Sequence, residues 1–255
     1  MKHGVLCCFS ALALVAASGF ANAQLVSVQG PTRPGNGGGT DINEYTLDDG
    51  VGENNIGLNG ANSSIAWLNR FTVSGGNSTI TDIRIAFGTN NPAAGGTPFN
   101  GAPVTAYLWS DPNNDGNPSD AVVLASVAGI TANSATDIFN VFTIPATNVG
   151  PDGTNFFVGA ILTQAGLLGA GPGSFPCRQD ATPVSQGRSW IAANTTAVPV
   201  NPNSLGAGNA INAAVIDSFG AALAGDWMVR ASAVPAPGTL ALLGLGGLVI
   251  GRRRR

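Results

Sequence analysis

The chain has 255 residues, of which 44% are apolar and only 10% charged, with 36 glycines and 16 prolines; such a mixture favours strands and turns over helices. Between Gln24 and Val234 stand all 14 acidic residues against six arginines and no lysine, a formal charge of −8, which argues against a nucleic-acid partner because phosphates demand a basic surface. The single histidine is His3 and the body's one cysteine is Cys177, so histidine-activated nucleophiles, histidine-ligated zinc, lysine Schiff bases and an intramolecular disulfide are excluded there.

The N-terminus opens with basic Lys2, runs through apolar residues from Val5 to Ala17 and reaches the small residues Ala21-Asn22-Ala23. This is the layout of a secretory signal peptide over residues 1–23, with cleavage by signal peptidase expected between Ala23 and Gln24. As a helix the apolar run would rise about 20 Å, short of a hydrocarbon core of about 30 Å. Cys7 and Cys8 fall inside the segment to be removed. Residues 24–43, with Pro31, Pro34 and Gly37-Gly38-Gly39, read as a flexible lead-in.

A domain over residues 44–233 is expected next. Asp48, Asp49 and Glu53 stand beside Gly50 and Gly52. Paired carboxylates serve glycoside hydrolysis when held roughly 5 to 9 Å apart, and the same acids suit a solvated turn or a cation site. Apolar runs then predict strands over Ile65–Val73, Ile80–Phe87, Val104–Trp109, Val122–Val127, Ile138–Ile144, Phe156–Leu162, Arg188–Ala192 and Trp227–Ala231. The clearest is the second, where Ile83, Ile85 and Phe87 alternate with Asp82, Arg84 and Ala86. Turn signals such as Gly75-Gly76-Asn77 and Pro151-Asp152-Gly153 separate the runs. The stretch Ala193–Gly225 reads as a long loop with one embedded strand near Ile211–Ile216.

Together these elements predict an all-β fold, an antiparallel β-sandwich of jelly-roll type with long Gly/Asn-rich loops. Trp67, Phe71, Phe87, Trp109, Phe139, Phe157, Trp190 and Trp227 are expected in its inter-sheet core. If exposed, Trp67, Trp109 and Trp190 would instead form a binding face for an extracellular polysaccharide. Cys177, without a base to activate it, reads as a small buried hydrophobe.

The segment Asp111-Pro112-Asn113-Asn114-Asp115-Gly116-Asn117-Pro118-Ser119-Asp120 is the strongest local candidate for a site. Asp111, Asn113 and Asp115 alternate ahead of a glycine that permits a sharp turn, as in the opening half of an EF-hand loop, and Asp120 adds a further carboxylate. These four are the candidate calcium ligands. The twelfth position is Val122 rather than a bidentate Glu, and the flanks read as strands, so a polar hairpin loop is the alternative.

The C-terminal segment, 234–255, has three parts in order: Pro235-Ala236-Pro237, the uncharged run Leu240 to Ile250, and Arg252, Arg253, Arg254 and Arg255. The prolines stop a preceding strand and hold the chain extended. The Leu/Gly run suits a short transmembrane helix, and the arginines resist translocation, which leaves them cytoplasmic and the body exported.

This triple order resembles the PEP-CTERM sorting signal of bacterial exoproteins, with Ala236 where that motif usually carries Glu. The resemblance implies recognition by an exosortase, a membrane-embedded transpeptidase-like enzyme that cuts near the Pro-x-Pro motif and passes the body to the envelope or exterior. Asp48-Asp49-Gly50, Ile65 to Phe71 and Tyr107-Leu108-Trp109 also resemble bodies found in secreted proteins with such tails. The expected function is a non-enzymatic cell-envelope or extracellular-matrix protein, membrane-anchored only until its tail is processed. A carbohydrate- or calcium-binding module ranks second, and a carboxylate-dependent glycoside hydrolase third.

Overall fold

A computed structural model describes residues 25–29, 43–58, 63–90, 100–163, 174–182, 184–195 and 198–234. The expected signal peptide with its Ala23/Gln24 junction, most of the lead-in, and the tail from Pro235 to Arg255 lie outside these residues. Within the lead-in, Leu25–Gln29 forms a strand, β1, antiparallel to β3. The lead-in therefore contributes an edge strand to the domain.

The remaining strands are β2 (Glu44–Tyr45), β3 (Asn54–Leu58), β4 (Ser64–Thr72), β5 (Thr79–Ile85), β6 (Phe87–Asn90), β7 (Pro103–Ser110) and β8 (Val122–Ile130). They continue with β9 (Asn140–Asn148), β10 (Asn155–Thr163), β11 (Ser174–Asp180), β12 (Ser189–Asn194), β13 (Ile211–Val215), β14 (Asp226–Trp227) and β15 (Val229–Val234). Among the described residues the helical segments are two 3₁₀ turns, Pro118–Asp120 and Ile216–Phe219. No described helix is long and apolar enough to cross a membrane; the expected tail helix falls outside the described residues.

One layer of the sandwich is the six-stranded antiparallel sheet β13-β12-β4-β10-β7-β8. Its central strands are apolar on both sides. Ile65, Trp67, Phe71, Leu108, Phe156, Val158 and Ile191 point into the core between the layers. Ala66, Leu68, Trp109, Phe157 and Ala192 point the other way. That outer face is covered by the segment after β12, whose Val200 and Leu205 complete a second apolar cluster. Indole Nε1 of Trp109 donates to Pro202 O at 2.9 Å and ties the cover down. Trp109 and Phe157, expected between the sheets, thus lie beneath this loop, while Phe139 and Trp190 are only half-buried. Gly159 in β10 admits the closest backbone approach: a Cβ there would sit 2.1 Å from Trp67 O.

The opposing layer consists of the sheet β2-β15-β5-β9 and a sheet in which β3 lines one edge of β11, with β6 and β14 end to end along the other. Two chain segments pass from one of these sheets to the other. β5 becomes β6 at Ala86 and β14 becomes β15 at Met228, and the two crossings are joined where Ala86 N donates to Met228 O at 3.1 Å. Such sheet-switching strands form the corners of sandwiches. Ile83 and Ile85 of β5 are buried as the alternation predicts, and a bulge at Thr81 against β15 resets the register so that Ile80 is buried as well.

Candidate functional site

β7 ends at Ser110 and β8 begins at Val122, so the Asp/Asn-rich segment is the loop of a β-hairpin at one margin of the six-stranded sheet. Gly116 has φ of 78°, a conformation that favours glycine, and is buried against Arg70, whose guanidinium would have to move for a Cβ, which would fall 2.1 Å from Nη1. Asn114 also takes a positive φ, 58°. It fastens the loop to its neighbour: its Oδ1 accepts from Asn155 N at 2.6 Å and its Nδ2 donates to Gly153 O at 3.3 Å.

Asx turns at alternate residues shape the rest. Asn113 Oδ1 accepts from Asp115 N at 2.9 Å, Asp115 Oδ1 from Asn117 N at 2.7 Å, and Asn117 Oδ1 from Ser119 N at 3.0 Å. Asn117 thereby caps the Pro118–Asp120 turn, which presents Asp120 back toward the loop's start. The outcome is a cluster: Asp111, Asp115 and Asp120 each offer a carboxylate oxygen, and these oxygens lie within 4.8 Å of one another. Asn113 stands beside it with its amide oxygen committed to the Asp115 N–H, and its Nδ2 donates to Asp115 Oδ2 at 3.1 Å. Asn113 therefore steadies Asp115.

Asp111 differs from its two partners in burial. It is only 4% exposed, whereas Asp115 and Asp120 are open to solvent. Its Oδ2 accepts from Gly116 N at 2.7 Å, but its Oδ1 is sealed from solvent and has no hydrogen-bond partner. An isolated buried carboxylate oxygen is costly. Arg70 lies within Coulombic reach of Asp111, and its Nη1 donates to Gly116 O at 3.4 Å.

The other acidic cluster is built into the scaffold. Asp48 is buried in a bidentate pairing with Arg230, which also reaches Glu44 at 3.2 Å and lies over the Phe139 ring. Asp49 Oδ1 accepts from Val51 N, and Glu53 accepts from Ala181 N and Thr182 Oγ1. Two acids that the sequence reading did not single out join this region. Asp180 accepts from Asp49 N and Thr182 N, and burial, with help from the nearby Asp49 and Glu53 charges, pushes its carboxyl up to about 7. Asp226 accepts from Gln186 N, and burial raises it to about 6. No linear signal marks them, because their burial comes from distant segments.

The sugar-face expectation is corrected at two of its three residues. Trp67 and Trp109 are fully buried, one in each apolar cluster, so neither offers a ring to a glycan; Trp190 is half-buried. Cys177 is fully buried, and burial holds its thiol well above the usual range.

Comparison with known proteins adds one assignment. Residues 233–255 match the model of the PEP-CTERM protein-sorting motif. The motif marks an exported, envelope-associated protein handled by an exosortase-type sorting enzyme. Curated proteins yield no match. Among solved structures, the cysteine protease and lectin-like domains of Cwp84, a surface layer associated protein of Clostridium difficile, align with 12% identity and a TM-score of 0.48 over 77% of this chain and 37% of theirs. The clostridial cysteine protease Cwp84 after propeptide cleavage aligns at the same identity and TM-score, over 41% of its chain. The chain thus spans less than half the length of these structures, and likeness at this level carries nothing about activity.

Proposed function

We propose that this protein is a non-enzymatic component of the cell envelope or extracellular matrix: a β-sandwich exported by its signal peptide and freed from its C-terminal tail by an exosortase-type enzyme. The observation that carries the reading is the sorting motif at residues 233–255. Its apolar run from Leu240 to Ile250 holds the chain at the membrane only until cleavage, being about half the length of a spanning helix. The chemistry of the body supports the non-catalytic reading. It has neither histidine nor lysine, and Asp48, Glu44 and Glu53 are committed to bonds that hold the sandwich together.

Intact-mass measurement of protein from the envelope and the medium tests the routing. Chains that begin at Gln24 and lack Arg252 to Arg255 are expected. Recovery of mature chains still ending at Arg255 would overturn it, and an Ala236→Glu variant processed faster than the natural chain would show that the tail's middle residue sets the rate.

A further inference from the structure

We propose that the β7–β8 loop binds a calcium ion through Asp111, Asp115 and Asp120. Two independent observations converge on it. The first is the cluster, in which three carboxylate oxygens from one short loop lie within 4.8 Å of one another. Calcium takes oxygen ligands at about 2.3–2.6 Å, so oxygens around one ion are separated by up to about 5 Å. The second is Asp111 Oδ1, which is closed off from solvent and has no donor. A carboxylate can accept four hydrogen bonds, and leaving a buried oxygen bare is costly. A divalent cation at the mouth of the loop would neutralise this buried, under-bonded carboxylate.

The donor set selects the class of ion. Every side-chain donor in the cluster is a hard oxygen, and the body holds no histidine and a single, distant, buried thiol, which disfavours zinc and copper. Asp115 and Asp120 are exposed, so water has access to the positions that side chains leave open. Calcium accepts six to eight ligands in adaptable geometry, whereas magnesium demands a near-ideal octahedron and gives up water reluctantly. The alternating-acid loop lacks a bidentate Glu at its end, where Val122 already belongs to β8. With Arg70 also nearby, affinity belongs in the weak range of extracellular modules, about 10⁻⁴ M. Such a site fills only where calcium is abundant, which for an exported chain means after secretion.

Binding would reach beyond the loop. Asp111 directly follows β7, Asn114 is bonded to the start of β10, and Gly206 of the covering segment packs against Ser119 so closely that a Cβ would lie 2.5 Å from Ser119 Cβ. One ion therefore clamps β7, β8, β10 and the cover over Trp109.

The test is thermal unfolding of the purified protein in EDTA, in 10 mM calcium and in 10 mM magnesium, paired with calorimetric titration of calcium. At 10 mM, about a hundredfold above the expected dissociation constant, calcium is expected to raise the midpoint by about 5–10 °C. Asp120→Asn, on an exposed side chain, should weaken calcium at least tenfold and so lose about half of that shift or more. Asp111→Asn should abolish it. An unchanged midpoint in calcium, an equal shift with magnesium, or an undiminished shift in Asp120→Asn would each overturn the proposal. Because the readout is ion binding, failure here leaves the tail-processing experiment unaffected.

Discussion

Asn69 offers the sharpest trial of how the two layers are held together. It lies on the inward face of β4, fully buried, at a position where the apolar alternation of Ile65, Trp67 and Phe71 calls for another hydrophobe. Its Nδ2 donates to Trp227 O at 2.8 Å and to Val229 O at 2.9 Å, bracketing the corner where β14 becomes β15. Its Oδ1 accepts from Ser189 Oγ at 2.7 Å. Asn69→Ala removes three hydrogen bonds, each worth about 1 kcal/mol net, and leaves buried carbonyls and a small cavity, so a loss of about 3–5 kcal/mol is expected. That is a large part of the stability of an ordinary domain. Asn69→Asp keeps the shape but turns acceptors toward two carbonyl oxygens. The folded state then favours the protonated acid, its pKa rises above the unfolded value, and stability present below about pH 4 is lost as pH rises through the folded value. Urea unfolding followed by tryptophan fluorescence reads both variants, since Trp67, Trp109 and Trp227 are fully buried. A cost below about 1 kcal/mol for Asn69→Ala, or an Asn69→Asp penalty equal at pH 4 and pH 7, would refute the reasoning.

Two further outcomes follow from the same packing. Asp180 and Asp226 titrate near 7 and 6 in the folded state against 3.8 when unfolded, so the native protein holds more protons between those values, and this contribution is complete in acid and lost as pH rises through 6 and 7. Discounted for partial solvent screening, the pair is worth about 1–2 kcal/mol. Denaturation with chelator present should find the loss between pH 4.5 and 7.5 smaller in Asp180→Asn than in the natural chain, and equal losses would contradict it. Gly159→Ala drives a methyl into Trp67 O and Leu68 Cβ, at 2.1 and 2.6 Å, in a paired strand that cannot retreat. A loss of about 3 kcal/mol or insoluble protein is expected, and a soluble variant with an unchanged urea midpoint would show that β4 and β10 can part.

Much of this protein was legible in its sequence because the relevant physics is local. Apolar runs at strand period located β4, β5, β7, β8, β10 and β12 within a few residues, since a strand buried on one or both faces must carry that pattern. Pro151-Asp152-Gly153 turned where it should, with Gly153 at φ of 91°. The tail was readable as an address because proline, apolar run and arginine act in linear order. The Asp111–Asp120 loop announced its acids and its glycine, though the Asx turn that occupies Asn113's oxygen, and the burial that isolates Asp111 Oδ1, are properties of the folded hairpin.

Only the tertiary structure decided the rest. β3 and β11 escaped the apolar criterion because Asn55, Arg178, Gln179 and Asp180 are buried polar residues. Their partners come from afar: Arg178 Nε finds Asp137 at 2.8 Å and Gln179 Nε2 finds Leu223 O at 2.7 Å. Likewise the burial of Trp109 and Phe157 under a covering segment, rather than between the sheets, depends on where residues 198–210 fold back. Sequence periodicity tells which residues leave water; it is silent on which of two apolar faces meets which neighbour. That choice fixed the corner at Ala86 and Met228, removed Trp67 and Trp109 from any sugar-binding face, and gathered three acids of one loop around a single point.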